Sequence, residues 1–498
     1  PVQCCNRFFC LLQRKMSSKE GEVDGSHKEK IFTRAYTSYQ PRWQRFVVKQ
    51  PTLVTTDPPY NRQYSHLYTS RLMELRPRCQ SAASEIVVPR IIELRENEFC
   101  TVVGTFIKET NNRPSSTTST YDGSAISVEP PLQTFCSEKD LLVLEDESGR
   151  VELVLTEQAT DNRGRSISIH DLSSGVVAAV SGVIPSDSGG VMSVSSISFP
   201  SYSNLTLLSQ PSITYSEPAP YVLLISGLKC NTEESKNGSH SLCTDLLVDY
   251  ISGNILALQE QAARVARVIL AGGNCGSAAS SENISKGGFS EKASKKRIAE
   301  AATLPIQELD LFLSKILGTV PVDVLPGKYD PTNANWPQQP LHSCLLPSSS
   351  SSSMVCRTTN PYEAILGGKL VIGTDGSNIQ DLRQYLMLSN NATMPTELQT
   401  LEQTLVFGHL APSAPDSLHS FPFASQDPFI LSDIPNIYFA GNCAEFASKV
   451  VTLEQQSCRL ICIPDFSVTR EVVLVNLETL ETECIKIIDD DDHEARAP

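Results

Sequence analysis

One stretch constrains this chain more than any other: Pro326 to His342, PGKYDPTNANWPQQPLH. It follows Val320–Leu325, a short apolar run rich in β-branched residues, which reads as a buried strand. A Gly directly after such a strand permits a tight turn at the carboxyl end of a sheet, where open α/β folds bind their ligands. Phosphate chemistry at such a turn uses two divalent cations about 3.5–4 Å apart, clamped by N and O donors. Asn, His and Asp are the residues that supply them. Here the turn reads Gly327-Lys328-Tyr329-Asp330, so a cation and a phenol stand where ligands are wanted. The stretch has the form of a metal loop without its chemistry.

The totals set outer bounds. A chain of 498 residues can build about two to four domains and a sizeable core. Its formal charge of −15 argues against a surface made to coat nucleic acid, though a local basic patch stays open. No apolar run reaches the roughly 18 residues of a membrane span. The 15 Cys are scattered without a CxxC pair, and Cys458 and Cys462 lie four apart. That is neither a zinc ribbon nor a disulfide framework, and it fits reduced thiols in a cytosolic or nuclear protein.

Along the chain, residues 1–31 read as a disordered head, and 1–15 look like sequence upstream of a start at Met16. Phe8–Leu12 is too short for a signal peptide. Residues 32–89 form an N-terminal helical segment in which Tyr64, Leu67, Leu72 and Leu75 suit an amphipathic helix; His66 there is a packed or solvated residue rather than a ligand. Residues 90–215 carry short apolar runs at Cys100–Ile107, Leu141–Leu144, Val151–Leu155, Val176–Val183 and Val191–Ile197, separated by turn signals. A five-stranded OB-type barrel is the economical fold. Phe106 is the aromatic these strands offer, and they carry almost no Lys or Arg, so protein docking is favoured over single-strand binding. The polar insert Glu109–Glu138 reads as a loop.

Residues 216–488 read as α/β followed by β. Tyr221–Gly227, Ala266–Gly273 and Ile437–Asn442 are strands that run into Gly turns, while Ser241–Ile251 fits either helix or strand. Ile306, Leu309, Leu313, Ile316 and Leu317 share a helical face, with Pro305 in the first turn. Ser348–Ser353 is a surface-loop expansion, and Ser377-Asn378-Ile379-Gln380 has the form of a capping box. Arg459–Ile463, Val472–Val475 and Cys484–Ile488 close the chain as antiparallel strands. Residues 489–498 are an acidic, disordered tail.

The order and wording of these segments carry a resemblance over residues 34–487. SHLYTSRLMELRP, CTVVGTFIKE, LLVLEDESGRVEL, YVLLISGL, RVILAGG, PVDVLPGKYDPTN, PQQPLHSCLLP, TNPYEAILGGKLVIGTDGSNIQDL, HLAPSAPD, DPFILSDIPNIYFAGN and IPDFSVT resemble the small (B) subunits of the eukaryotic replicative DNA polymerases alpha, delta and epsilon. PQQPLH and LYTSRLMELRP favour the delta branch. The resemblance implies an OB-fold joined to a calcineurin-like phosphoesterase domain, a two-sheet sandwich flanked by helices, whose metal ligands are lost. Where the active family has Asp-x-His this chain has Gly227-Leu228-Lys229, and where it has Gly-Asp this chain has Gly272-Gly273. Gly-Asn-His-Asp becomes Gly327-Lys328-Tyr329-Asp330, and Gly-His-x-His becomes Gly441-Asn442-Cys443-Ala444. Asp330 alone cannot hold two cations, and His342 and His409 lie in stretches read as structural. No catalytic residue, metal or cofactor is therefore expected.

The resemblance also implies a nuclear scaffold. Its partners would be the cysteine-rich C-terminal tail of the polymerase delta catalytic subunit and a third accessory subunit, with polymerase zeta as a further assembly. DNA contact would be at most indirect, and no membrane is involved. The competing readings are an active metal-dependent phosphoesterase or 3′–5′ nuclease, disfavoured by the missing ligands, the small subunit of another replicative polymerase, and a single-strand-binding OB protein.

Overall fold

The computed structural model describes residues 32–48, 63–83, 87–110, 112, 134–202, 218–230, 238–276, 291–388 and 393–487. The expected head, the acidic tail and most of the 109–138 insert lie outside the described residues.

β1 (Tyr39–Pro41) precedes the long helix α1 (Ser65–Ala82). Then come β2 (Val87–Val88), β3 (Cys100–Glu109), β4 (Leu141–Glu145), β5 (Arg150–Asp161), β6 (Val177–Val183) and β7 (Met192–Ser198). They form one sheet in the order β2-β3-β4-β5-β7-β6, and β3 pairs again with β6, so five strands close into the expected barrel. Alternation along the strands sends Val102, Phe106, Leu142, Leu144, Leu153, Met192 and Val194 into its interior. Phe106 is fully buried there, which removes it as a platform for stacking a base. At Gly182 the β6–β7 register shifts, and a Cβ would meet the Ser193 carbonyl oxygen at 2.1 Å, so only Gly fits.

α1 is longer than its apolar spacing indicates. Leu67, Leu72 and Leu75 are buried as expected, whereas Tyr64 and His66 are exposed. The same helix buries two guanidinium groups. Arg71 gives Nε to Asp427 (2.7 Å) and its other nitrogens to the carbonyls of Gly175, Pro412 and Ala414. Arg78 reaches the carbonyls of Ser201 and Leu431. α1 therefore bolts the barrel to the C-terminal half of the chain.

The remainder comprises β8 (Tyr221–Ile225), α2 (Gly238–Ser252), α3 (Gln259–Ala263), β9 (Val265–Ala271), α4 (Glu291–Ile316), β10 (Val322–Leu325), β11 (Val355–Arg357), β12 (Tyr362–Leu366) and β13 (Lys369–Thr374). It continues with α5 (Ser377–Arg383), α6 (Glu397–Val406), β14 (Ile437–Cys443), β15 (Ala447–Leu453), β16 (Gln456–Pro464), α7 (Phe466–Thr469), β17 (Glu471–Asn476) and β18 (Thr482–Lys486). Two six-stranded sheets result, ordered β1-β12-β13-β14-β16-β15 and β11-β10-β9-β8-β17-β18. β8, β9 and β10 run parallel. Their near-continuous apolar sequence follows from burial on both faces: one packs on the other sheet through Leu224, Ile269 and Leu325, and the other packs on α2 and α4 through Leu223, Val268 and Val324.

Several local expectations need correction. Pro305 lies inside α4 rather than in its first turn. Ser377 does not cap α5; Gly376 does, with φ +87°, and the Ser377 hydroxyl instead donates to Asp375 (2.7 Å). A capping box does sit at α6, where Thr396 and Gln399 cap reciprocally. β16 is not purely antiparallel, since it pairs parallel with β14. β14 runs on through Gly441-Asn442 with a register shift instead of ending in a turn. The serine run is anchored: Asp310 of α4 accepts from Ser348 N, Ser349 N and Ser349 Oγ, and Ser349 is fully buried. Ser241–Ile251 resolves as helix.

Candidate functional site

The Gly turns after β8, β9 and β10 come together with the β13–α5 turn and the bulge of β14. Their contacts are backbone on backbone. Gly227 N donates to the Gly272 carbonyl (3.0 Å), Lys229 N to Gly273 (2.9 Å) and Cys230 N to Asn274 (3.0 Å). A Cβ on Gly327 would sit 2.4 Å from Gly273 N, and one on Gly441 2.3 Å from the Ala271 carbonyl oxygen. Gly273 has φ +65°, and a Cβ there would meet Asn442 Oδ1 at 2.3 Å. These glycines are required because the loops are packed against one another.

The buried polar side chains here are held by protein groups. Asp330, 5% exposed, accepts from Gly327 N (2.8 Å), Asn274 Nδ2 (2.9 Å), Asn274 N (3.3 Å) and Cys275 N (2.7 Å). Burial pushes its carboxyl up to about 6 against the pull of those donors. Asn442, at φ +51°, donates through Nδ2 to the Asp375 carbonyl (2.9 Å), and its backbone N–H reaches Ser226 Oγ (2.9 Å). Lys229, at φ +42°, pairs with Asp465 at 2.6 Å. Lys328 lies over the ring of Tyr329, which is 54% exposed. Ala444 N donates to Glu397 (3.1 Å).

The organising loop is stitched from behind by a buried amide chain. Gln338 Nε2 donates to the Gly327 carbonyl (3.0 Å), Asn360 Nδ2 bridges Gln338 Oε1 (2.8 Å) and Asp375 Oδ1 (2.7 Å), and Ser377 N and Oγ also bond Asp375. Sequence reasoning missed Gln338, Asn360, Asp375 and Asp465; the Asp-Gly-Ser turn at 375–377 was the available signal. It also missed His240, whose Nε2 is 3.1 Å from the Leu228 carbonyl. His342 is exposed and caps its own turn, while His409 is buried on Asp427 at 2.9 Å, so neither joins Asp330.

A pair of divalent cations would need several convergent carboxylates and imidazoles with free lone pairs. Asp330, Asp375 and Asp465 are instead engaged by N–H, O–H and ammonium donors and no imidazole among the described residues joins them, so this donor set does not fit such a pair. Among the described residues, three His, Cys, Asp or Glu side chains with metal-ligand spacing meet at Cys136, Asp140 and His170, beside the barrel and away from these turns. A groove of about 1010 Å³ also opens elsewhere, between α1 and β3, lined by Leu72, Met73, Arg76, Lys108 and Arg150.

A closed five-stranded barrel joined to a two-sheet α/β sandwich, with its Gly turns gathered at one end, defines the class: an OB-fold coupled to a phosphoesterase-like domain. The family described as DNA polymerase delta subunit OB-fold domain matches residues 63–197, and that of the DNA polymerase alpha/epsilon B subunits matches 222–448. The chain is 33% identical to the DNA polymerase delta small subunit of Oryza sativa subsp. japonica, over 84% of this chain and 91% of the relative. It is 31% identical to DNA polymerase delta subunit 2 of Drosophila melanogaster (85% and 92%) and 32% identical to the DNA polymerase delta small subunit of Arabidopsis thaliana (92% and 97%). The chain belongs to the family of DNA polymerase delta small subunits, accessory components of the replication machinery.

Proposed function

We propose that this chain is a non-catalytic scaffold of DNA polymerase delta that works in the nucleus. It holds the cysteine-rich C-terminal tail of the catalytic subunit and a third accessory subunit together during replication and repair synthesis, and it serves polymerase zeta in the same way. Residues 216–488 are a phosphoesterase domain with degenerate motif positions at Gly227, Lys229, Gly273, Lys328, Tyr329, Asp330, Asn442 and Ala444: Gly227, Gly273, Asp330 and Asn442 are packed into the turns, Lys229 is ion-paired, and Lys328, Tyr329 and Ala444 face outward. The observation that carries this reading is the packed strand-end cluster, where Lys229 is paired with Asp465 and Asp330 serves backbone amides.

A rigid two-sheet platform suits a scaffold, because holding two partners raises their effective concentration near each other. The charge of −15 favours docking to basic protein segments over free DNA. The test is size-exclusion chromatography of the full chain with the catalytic subunit's C-terminal tail. A stable joint peak supports the reading, and separate elution of the two folded partners contradicts it.

A further inference from the structure

The cluster beside the barrel has no part in the scaffold reading. Cys136 lies where the long insert returns to the barrel, Asp140 directly precedes β4, and His170 lies in a single helical turn, Ile169–Asp171. One donor atom from each comes within 4.8 Å of the others. Cys136 and Asp140 are buried and His170 is half-buried. Asp140 uses Oδ2 to accept from Ser137 N (3.1 Å), whereas its Oδ1 and the His170 Nδ1 are buried without a hydrogen-bond partner. Two orphaned lone-pair groups beside a thiol are costly to bury unless something binds them.

Lys108 completes the setting. Its ammonium donates to the carbonyls of Tyr385 (2.8 Å) and Leu172 (3.2 Å), and it stands 3.5 Å from Cys136 Sγ and 3.9 Å from Asp140 Oδ2. The ammonium faces the sulfur and Asp140 Oδ2, which leaves Oδ1 for another cation.

We propose that Cys136, Asp140 and His170 bind one zinc ion. A thiolate, a carboxylate and an imidazole are borderline-soft donors suited to tetrahedral zinc, with solvent at the fourth position. Bond lengths of about 2.0–2.3 Å require the three donors to close in by only about 1 Å. Binding releases the thiol proton to solvent, and Lys108 remains as hydrogen-bond donor to the bound sulfur.

The site's location gives it a structural role. Phe135 N donates to the Gln384 carbonyl (2.7 Å), and Met387 N to the His170 carbonyl (3.0 Å). Both ligand-bearing segments therefore abut the residues that follow α5, and a zinc ion would tie the barrel to the sandwich at that seam.

The test uses the full chain, stripped of metal and titrated with cobalt(II), whose thiolate complexes show a charge-transfer band. The expected result is one cobalt per chain, a sulfur-to-cobalt band displaced by zinc, and loss of that band in Cys136→Ser but not in Cys344→Ala. Because a variant can fail to fold, the wild-type chain is also melted with zinc and with a chelator, and a rise of several degrees with zinc is expected. Absence of the band together with equal melting in both conditions overturns the proposal. So does a band that survives Cys136→Ser and is lost in Cys344→Ala.

Discussion

At Asp330 four N–H groups converge on one buried carboxylate. Removing the acceptor leaves those donors buried, so Asp330→Ala should cost about 3 kcal/mol, read from denaturant midpoints. Manganese should leave the melting temperature of the Cys136→Ser chain unchanged, since a ligand bound at these turns would raise it by mass action. His409 makes a pH prediction. Burial, followed by the nearby Arg71 cation, holds its imidazole down to about 4, from an ordinary 6.5. The unfolded chain therefore takes up a proton that the folded chain refuses. Stability is fully present above about pH 6.5 and falls as pH drops toward 4, by about 1.4 kcal/mol per pH unit for this group. His409→Gln should flatten that slope between pH 6 and pH 5 in urea titrations, and an unchanged slope would contradict the assignment.

At the scale of elements, the strands were legible because burial on one or both faces writes period two or unbroken apolar runs into the sequence. Polar groups between layers were not, because their partners are distant in the chain. Asp323 lies inside an apolar run, yet in β10 it accepts from Arg267 of β9 (2.6 Å) and from Tyr362 of β12 (2.8 Å), so it joins the two sheets. Arg267 in turn stacks on Tyr39 of β1, 3.7 Å from the ring centroid. Asp323→Ala strands a buried guanidinium and should cost about 3–5 kcal/mol, whereas Asp323→Leu combined with Arg267→Met should recover most of that loss. Equal losses in the single and double variants would show that the pair is not coupled. Pro305 and Ser377 both carry helix-start signals: α4 begins earlier, at Glu291, whereas α5 does begin at Ser377, with Gly376 rather than Ser377 at its cap. The glycine turns after β8, β9 and β10 were read correctly as strand ends, the one at Gly441 proved to be a bulge within β14, and only the assembled structure reveals that they pack on one another.

Across the whole molecule, barrel and sandwich are stitched by groups from many elements. Glu402 of α6 takes Arg163 and Arg165 from beyond β5 (3.2 Å each) and Lys449 of β15 (2.6 Å). Phe199 packs on Phe407 with ring centroids 5.2 Å apart, and the Tyr202 hydroxyl donates to the Leu405 carbonyl (2.7 Å). A body joined this tightly holds its surfaces at fixed separation, which is what bridging two partners requires. One chromatographic comparison tests the proposed bridge most directly. The catalytic subunit's C-terminal tail and the third accessory subunit are run together, with and without this chain. A single ternary peak is expected with the chain present and two separate peaks without it. Co-elution of the two partners in its absence would rule the bridge out.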